Sequence, residues 1–352
     1  MQRMRRLDGV RGLLAMYVLL SHALPLTTAP LWAQRLFAHG QAAVELFFAL
    51  SGLVIAGALE RHGGRFWPFI QARARRLLPV YLPVLAAAIS IEALGDPLSA
   101  LPWTGAAARE IVSPGLPQPL WAHLLAHLTL LHGIIPDRLL PYGWVTLLGP
   151  AWSLSTEWQF YLLIGLAAPK RLGGLAALLL AVALLYALLP AHTEFSRAFL
   201  PAQAGWFALG LCSRIWLLSG RAAPFLACLA GLCLLALLGT PERALTALLW
   251  LALMLAQTQS WGGLLANRGL LYLGAISYPL YLVNEPMERL LALWLGPPLA
   301  AHPGWFSLAF LVLAVLGSCF LAAMLHHVVE LPFMRQSKKK LFPPVIARPV
   351  RE

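Results

Sequence analysis

RLDGVRGLLAMYVLLSHALP, residues 6–25, decides how the rest of the chain is read. It has the length and apolarity of a membrane-crossing helix, yet Arg11 stands at its start and His22 well inside it. Ionisable side chains in hydrocarbon are costly, so they face a protein interior or a wet cavity and by default mark a site of function. The spacing from Arg11 to His22 is about 16 Å along an α-helix and close to a whole number of turns, so both side chains point the same way.

The composition makes that membrane reading general. Of 352 residues, 60% are hydrophobic and 11% charged, with a mean hydropathy of +0.73, against roughly one quarter charged in a soluble domain. No stretch is long and polar enough for a separate soluble domain. The expectation is an all-α, polytopic integral membrane protein: one bundle of about ten transmembrane helices over residues 1–335, followed by a basic, disordered cytoplasmic tail over 336–352. The four cysteines, Cys212, Cys228, Cys233 and Cys319, all fall inside apolar runs, and none forms a C-x-x-C pair; packed thiols are the reading, with no metal site. The N-terminus resembles a signal peptide, but Pro30 follows the candidate small-residue site at Thr27-Thr28-Ala29, and the apolar run is long enough to stay as an anchor.

About 20 apolar residues cross a bilayer. Ten runs qualify, near 10–27, 41–59, 77–94, 151–168, 174–190, 202–218, 224–239, 244–258, 270–294 and 306–328. With the N-terminus in the cytoplasm, 20 of the 26 Lys and Arg residues fall inside, as the positive-inside rule requires. The outer six are Arg35, Arg109, Arg138, Arg197, Arg243 and Arg289, mostly next in sequence to acids such as Glu110, Asp137, Glu194 and Glu242. An even number of spans, with both termini cytoplasmic, follows.

Residues 119–135 fit that scheme as an amphipathic surface helix, because His123 and His127 are four apart and share a face. A further span here would reverse every later loop. The pair lacks the Glu of H-E-x-x-H, so metal binding is not the expectation. The net charge of +12 is topogenic and faces anionic lipid rather than nucleic acid, with Lys338, Lys339 and Lys340 as a membrane-surface tail.

Depth then gathers the polar residues. His22 lies in the outer part of the first span. Glu45, near the outer start of the second, reaches a similar level, and Glu157 on the fourth lies slightly deeper. Asn284 and Glu285 return to that level on the ninth, and a structural reading stays open for each residue taken singly, since Glu285 could simply pair with Arg289 one turn on. A neutral imidazole can take a proton from an alcohol, and a carboxylate beside it can fix its tautomer and stabilise the imidazolium. His22 with Glu45 therefore suits acyl transfer to a hydroxyl. At the cytoplasmic mouth, Arg73, Arg75 and Arg76 serve topology and lipid contact, and with Arg11 they could also grip a phosphorylated donor through forked hydrogen bonds.

Several motifs in order carry a resemblance. They are Leu7-Asp8-Gly9-Val10-Arg11-Gly12 with Arg11-x10-His22, Val44-Glu45-Leu-Phe-Phe-Ala-Leu-Ser51-Gly52, Arg73-x-x-Arg76-Leu-Leu-Pro79, and Trp152-Ser153-Leu154 with Glu157 and Tyr161. The chain resembles the acyltransferase 3 family of membrane O-acyltransferases over nearly its whole length, in the manner of stand-alone members without an appended hydrolase-like domain. The resemblance implies a ten-helix inner-membrane enzyme that moves an acyl group, commonly acetyl, from cytoplasmic acyl-CoA to a carbohydrate hydroxyl, as in exopolysaccharide or lipopolysaccharide modification. It makes His22 the base, Glu45 its partner, and Arg11, Arg73 and Arg76 the donor site. Trp152, Ser153, Glu157 and Tyr161 inherit a site assignment without individual roles. Asn284 stands where family members often carry a histidine after the Tyr-Leu pair.

Acyl-CoA is thus the expected donor substrate, with no permanently bound cofactor, and a carbohydrate or glycolipid the expected acceptor. Ser51 and Ser153 are the candidate nucleophiles for an acyl-enzyme, but neither sits in a G-x-S-x-G elbow, so direct transfer is the default. The rival function is a transporter or flippase of a lipid-linked saccharide using the same buried charges as a relay, although no internal repeat supports it. A non-catalytic scaffold is the third possibility.

Overall fold

Each of the ten apolar runs forms the body of a helix in the computed structural model of the protein, which describes residues 4–167, 172–189, 194–258 and 260–335. In order these are α1 (Arg5–Ala23), α3 (Gly40–Arg61), α4 (Phe66–Glu92), α7 (Ala151–Ala167), α8 (Leu172–Leu188), α9 (Leu200–Ser219), α10 (Ala223–Leu238), α11 (Glu242–Thr258), α12 (Arg268–Leu299) and α13 (Pro303–Leu325). Three short helices, α2 (Leu31–Leu36), α5 (Ala106–Ile111) and α6 (Leu120–Leu128), lie in the connections. The described residues contain no strand. The expected tail over 336–352, like Lys170 and Arg171, lies outside the described residues.

This is a membrane protein. Among the described residues, four segments are long and apolar enough by themselves to cross a bilayer: Arg5–Leu26, Leu31–Arg61, Phe66–Glu92 and Pro303–Arg335; Leu172–Leu188 and Ala223–Leu237 are shorter apolar helices. The length of α12 is ample at 32 residues, but its Asn284, Glu285, Glu288 and Arg289 dilute its hydropathy, as expected of a helix that carries a polar site.

Close packing at glycines fixes the inner bundle. A Cβ on Gly12 would strike the Gly274 and Leu273 region of α12, and one on Gly274 would strike the Asp8 carbonyl, so α1 and α12 meet backbone to backbone. Gly52 on α3 and Gly210 on α9 make a second contact of this kind. Such contacts let helices associate where lipid supplies no hydrophobic drive. Helices α8 and α10 then pack on the outside of α9.

Two elements differ from expectation. Helix α4 begins at Phe66 rather than near 77, so Arg73, Arg75 and Arg76 belong to the helix itself; charge ends an apolar run without ending a helix. Pro79 and Pro83 lie within it, where neighbouring groups accommodate the lost hydrogen bonds. Helix α6 is amphipathic, but its polar face points inward: His123 and His127 are buried, while Trp121 and Leu125 are exposed.

Candidate active site

Helices α1, α3, α7 and α12 wall two chambers, one above the other, and α4 joins them around the inner one. The inner chamber, of about 190 Å³, is lined by Asp8 and Arg11 of α1, Phe47 and Ser51 of α3, Arg73 and Arg76 of α4, Ser153, Glu157 and Tyr161 of α7, and Ser277, Tyr278 and Tyr281 of α12. Regular helical spacing puts these side chains on common faces: 157 and 161 are one turn apart, as are 277 and 281. The three guanidinium groups expected to hold the donor are thus brought together. Glu157 is the organising acid: Ser51 Oγ donates to its Oε1 at 2.6 Å, and the Tyr161 hydroxyl donates to the same oxygen. Ser153 Oγ bonds the Tyr281 hydroxyl at 2.8 Å.

The turn that follows α13 packs against α4 and α12. There His326–Glu330 form a π-helical turn, with His326 Nδ1 bonded to Glu330 Oε2 at 2.6 Å. Glu330 lies within electrostatic reach of Arg11 and Arg76. Sequence reasoning passed over it; its position just past the end of the last span, level with the arginine cluster, was the available signal.

The outer chamber, of about 470 Å³, is lined by Val18 and His22 of α1, Gln41 and Val44 of α3, Trp144 and Gly149 from the loop before α7, Trp152, Arg197, and Tyr281 with Glu285 of α12. His22 Nδ1 is shut off from solvent without a hydrogen-bond partner among the described residues, which leaves Nε2 as the nitrogen available to the chamber. The Glu285 carboxylate lies against Gly149, where a Cβ would collide with it. Arg197 donates to Gln41 Oε1 at 2.5 Å and lies 5.2 Å above the Trp144 ring.

The expected His22–Glu45 pairing is not what the geometry gives. Glu45 is buried, at 1% exposure, and accepts from Arg243 Nε at 2.7 Å and Gln41 Nε2 at 3.3 Å. It lines a neighbouring cavity of about 550 Å³ with Gln203 and Arg243. Two carboxylates line His22's own chamber, Glu285 and Glu110 of α5, and of these Glu285 is on a spanning helix; Gln41 is the link by which Glu45 touches that chamber's wall. Residue 45 lies one turn beyond Gln41 and nearly in line with it; what turns the Glu45 carboxylate away from His22 is its ion pair with Arg243 on α11.

Other outer cations also choose partners distant in sequence. Arg109 pairs with Asp96 at 2.9 Å, Arg138 with Glu194 at 3.5 Å, and Arg289 donates to the Gly95 carbonyl at 3.2 Å. Asn284 is fully buried, and neither atom of its amide has a hydrogen-bond partner among the described residues; it lines neither chamber. His123, His127 and His132 form a packed group beside the bundle. His123 Nδ1 meets Thr146 Oγ1 at 2.8 Å, and His127 stacks on His132 at 4.1 Å. Burial pushes the His127 imidazole down to about 4, so the ring is neutral at pH 7.

In chemical terms, one chamber offers three guanidinium groups on spanning helices for phosphate, and the other offers an imidazole, carboxylates, an amide, an aromatic face and the guanidinium groups of Arg35 and Arg197. A family profile described as an acyltransferase domain matches residues 4–324. The chain is also 33% identical over 168 residues to "Protein 2 in picA locus" of Rhizobium radiobacter, covering 44% of this chain and 78% of that protein. No solved structure matches it.

Proposed function

Because the chain belongs to the acyltransferase 3 family and is an acyltransferase, we propose that it carries a short acyl group, acetyl foremost, from cytoplasmic acyl-CoA to a hydroxyl of a carbohydrate or glycolipid acceptor across a bacterial inner membrane. The observation that carries this reading is that Arg11 and His22 lie on one face of α1 yet open into different chambers, one cationic and one with a base.

The diphosphate end of acyl-CoA is gripped by Arg11, Arg73 and Arg76, whose planar forks suit phosphate oxygens. The thioester reaches the boundary between chambers. An acceptor hydroxyl enters from the outer side, where the Trp144 face and the Gln41 and Arg197 donors suit a sugar. Its oxygen attacks the thioester carbonyl as His22 Nε2 takes its proton. The carbon–sulfur bond then breaks, and the imidazolium returns the proton to the CoA thiolate. Glu285, in the same chamber, is placed to steady the imidazolium. Neither Ser51 nor Ser153 sits in a G-x-S-x-G elbow, which supports direct transfer over an acyl-enzyme.

The test uses purified protein in nanodiscs with acetyl-CoA, reading free thiol released with and without a mixture of surface glycans. Transfer should fall at least 100-fold in His22→Ala, with an unchanged melting profile. Equal thiol release by the variant, or saccharide movement without thioester consumption, overturns the proposal.

A further inference from the structure

An acyl transfer needs more than a base and a donor grip. Negative charge develops on the carbonyl oxygen as the acceptor attacks, and preorganised hydrogen-bond donors aimed at that oxygen commonly supply the largest share of rate enhancement. The two chambers show where that oxygen must be. The donor comes from below and the hydroxyl from above, so the reacting carbon lies where the chambers adjoin.

Among the described residues, one side chain lines both chambers: Tyr281. The change of chamber happens at the same level on every wall, between Phe47 and Val44 on α3 and between Ser153 and Trp152 on α7. Tyr281 is 7% exposed, and its ring is braced edge-on by Phe47, with centroids 6.0 Å apart. The Ser153 hydroxyl has two acceptors in range, the Tyr281 oxygen at 2.8 Å and the Pro150 carbonyl at 3.1 Å. When Ser153 gives its hydrogen to Tyr281, the tyrosine is left with a hydrogen of its own to direct into the junction.

Resting on the function proposed above, we infer that the Tyr281 hydroxyl, oriented by Ser153, is the oxyanion donor of the reaction. The acceptor oxygen forms its bond to the thioester carbon while its proton goes to His22. The carbonyl electron pair moves onto oxygen and is met by the Tyr281 O–H. The tetrahedral intermediate collapses, the C–S bond breaks, and the proton on His22 passes to the departing sulfur. Tyr281 keeps its proton throughout. Ser153 is a positioning residue in this scheme, since it acts through Tyr281.

The experiment compares wild type, Tyr281→Phe and Ser153→Ala in nanodiscs with acetyl-CoA. Tyr281→Phe keeps the ring that fills the junction and removes only the hydroxyl. It should lower kcat by about 100- to 1,000-fold, with KM for acetyl-CoA within about threefold and the melting temperature unchanged; Ser153→Ala should show the same pattern at smaller size. A Tyr281→Phe enzyme with wild-type kcat, or one whose loss lies in KM alone, overturns the inference. If wild type consumes no acetyl-CoA, the proposed function fails instead. If wild type is active, His22→Ala is dead and Tyr281→Phe is fully active, only the oxyanion assignment falls.

Discussion

Glu45 is held by a cation 198 residues away in the chain, and the two members of that pair are not equally replaceable. The carboxylate is 1% exposed and the Arg243 side chain 35%. Removing Arg243 strands a buried charge, whereas Glu45→Gln leaves an arginine that can still reach water. Arg243→Met should therefore destabilise the protein by about 1–3 kcal/mol, Glu45→Gln by less, and the double variant should recover most of the loss; thermal unfolding in detergent reads all three. Glu45→Gln should also keep far more activity than His22→Ala. A Glu45→Gln enzyme as inactive as His22→Ala would return Glu45 to the reaction. At this scale the sequence exposes depth but not direction. Counting residues from a helix end placed His22, Glu45 and Glu285 at one level, but which of them face each other depends on the rotation of each helix about its axis. That rotation is set by contacts such as Gly12 with Gly274, between segments far apart in the chain.

Helices, by contrast, announce themselves. Long apolar runs can only satisfy their backbone inside a membrane by coiling, so every run over 10–328 appears as a helix. What hydropathy hides is where an element continues past its apolar part, as α4 does from Phe66 to Leu77, and which side of a short helix is wet, as in α6. The glycine contacts are equally silent in a single sequence, although they fix the elements' spacing. Gly210→Val would drive a branched side chain into the Ala49 carbonyl of α3. It should cost about 1–3 kcal/mol by overpacking and lower activity with it, because α3 carries Phe47, Ser51 and Gln41. Gly173→Ala, whose new Cβ would meet only Ile215 Cδ1 at 3.8 Å, should leave both unfolding temperature and activity unchanged.

Across the whole molecule, the two chambers give the protein a direction. The cationic one opens toward the arginine-rich end that includes the loop between α3 and α4, and the other toward the end bearing α2 and α5. In proteoliposomes oriented by an epitope in the 62–65 loop, acetyl-CoA supplied on the epitope's side should be consumed and acetyl-CoA supplied on the opposite side should not; consumption from both sides would contradict the donor assignment. The backbone-to-backbone seams between α1 and α12 and between α3 and α9 leave little room for these helices to rock apart. On the proposed function, an acylated strand leaves past the same fixed walls that admitted it, and turnover on long acceptors should be governed by how slowly the finished strand lets go rather than by bond making.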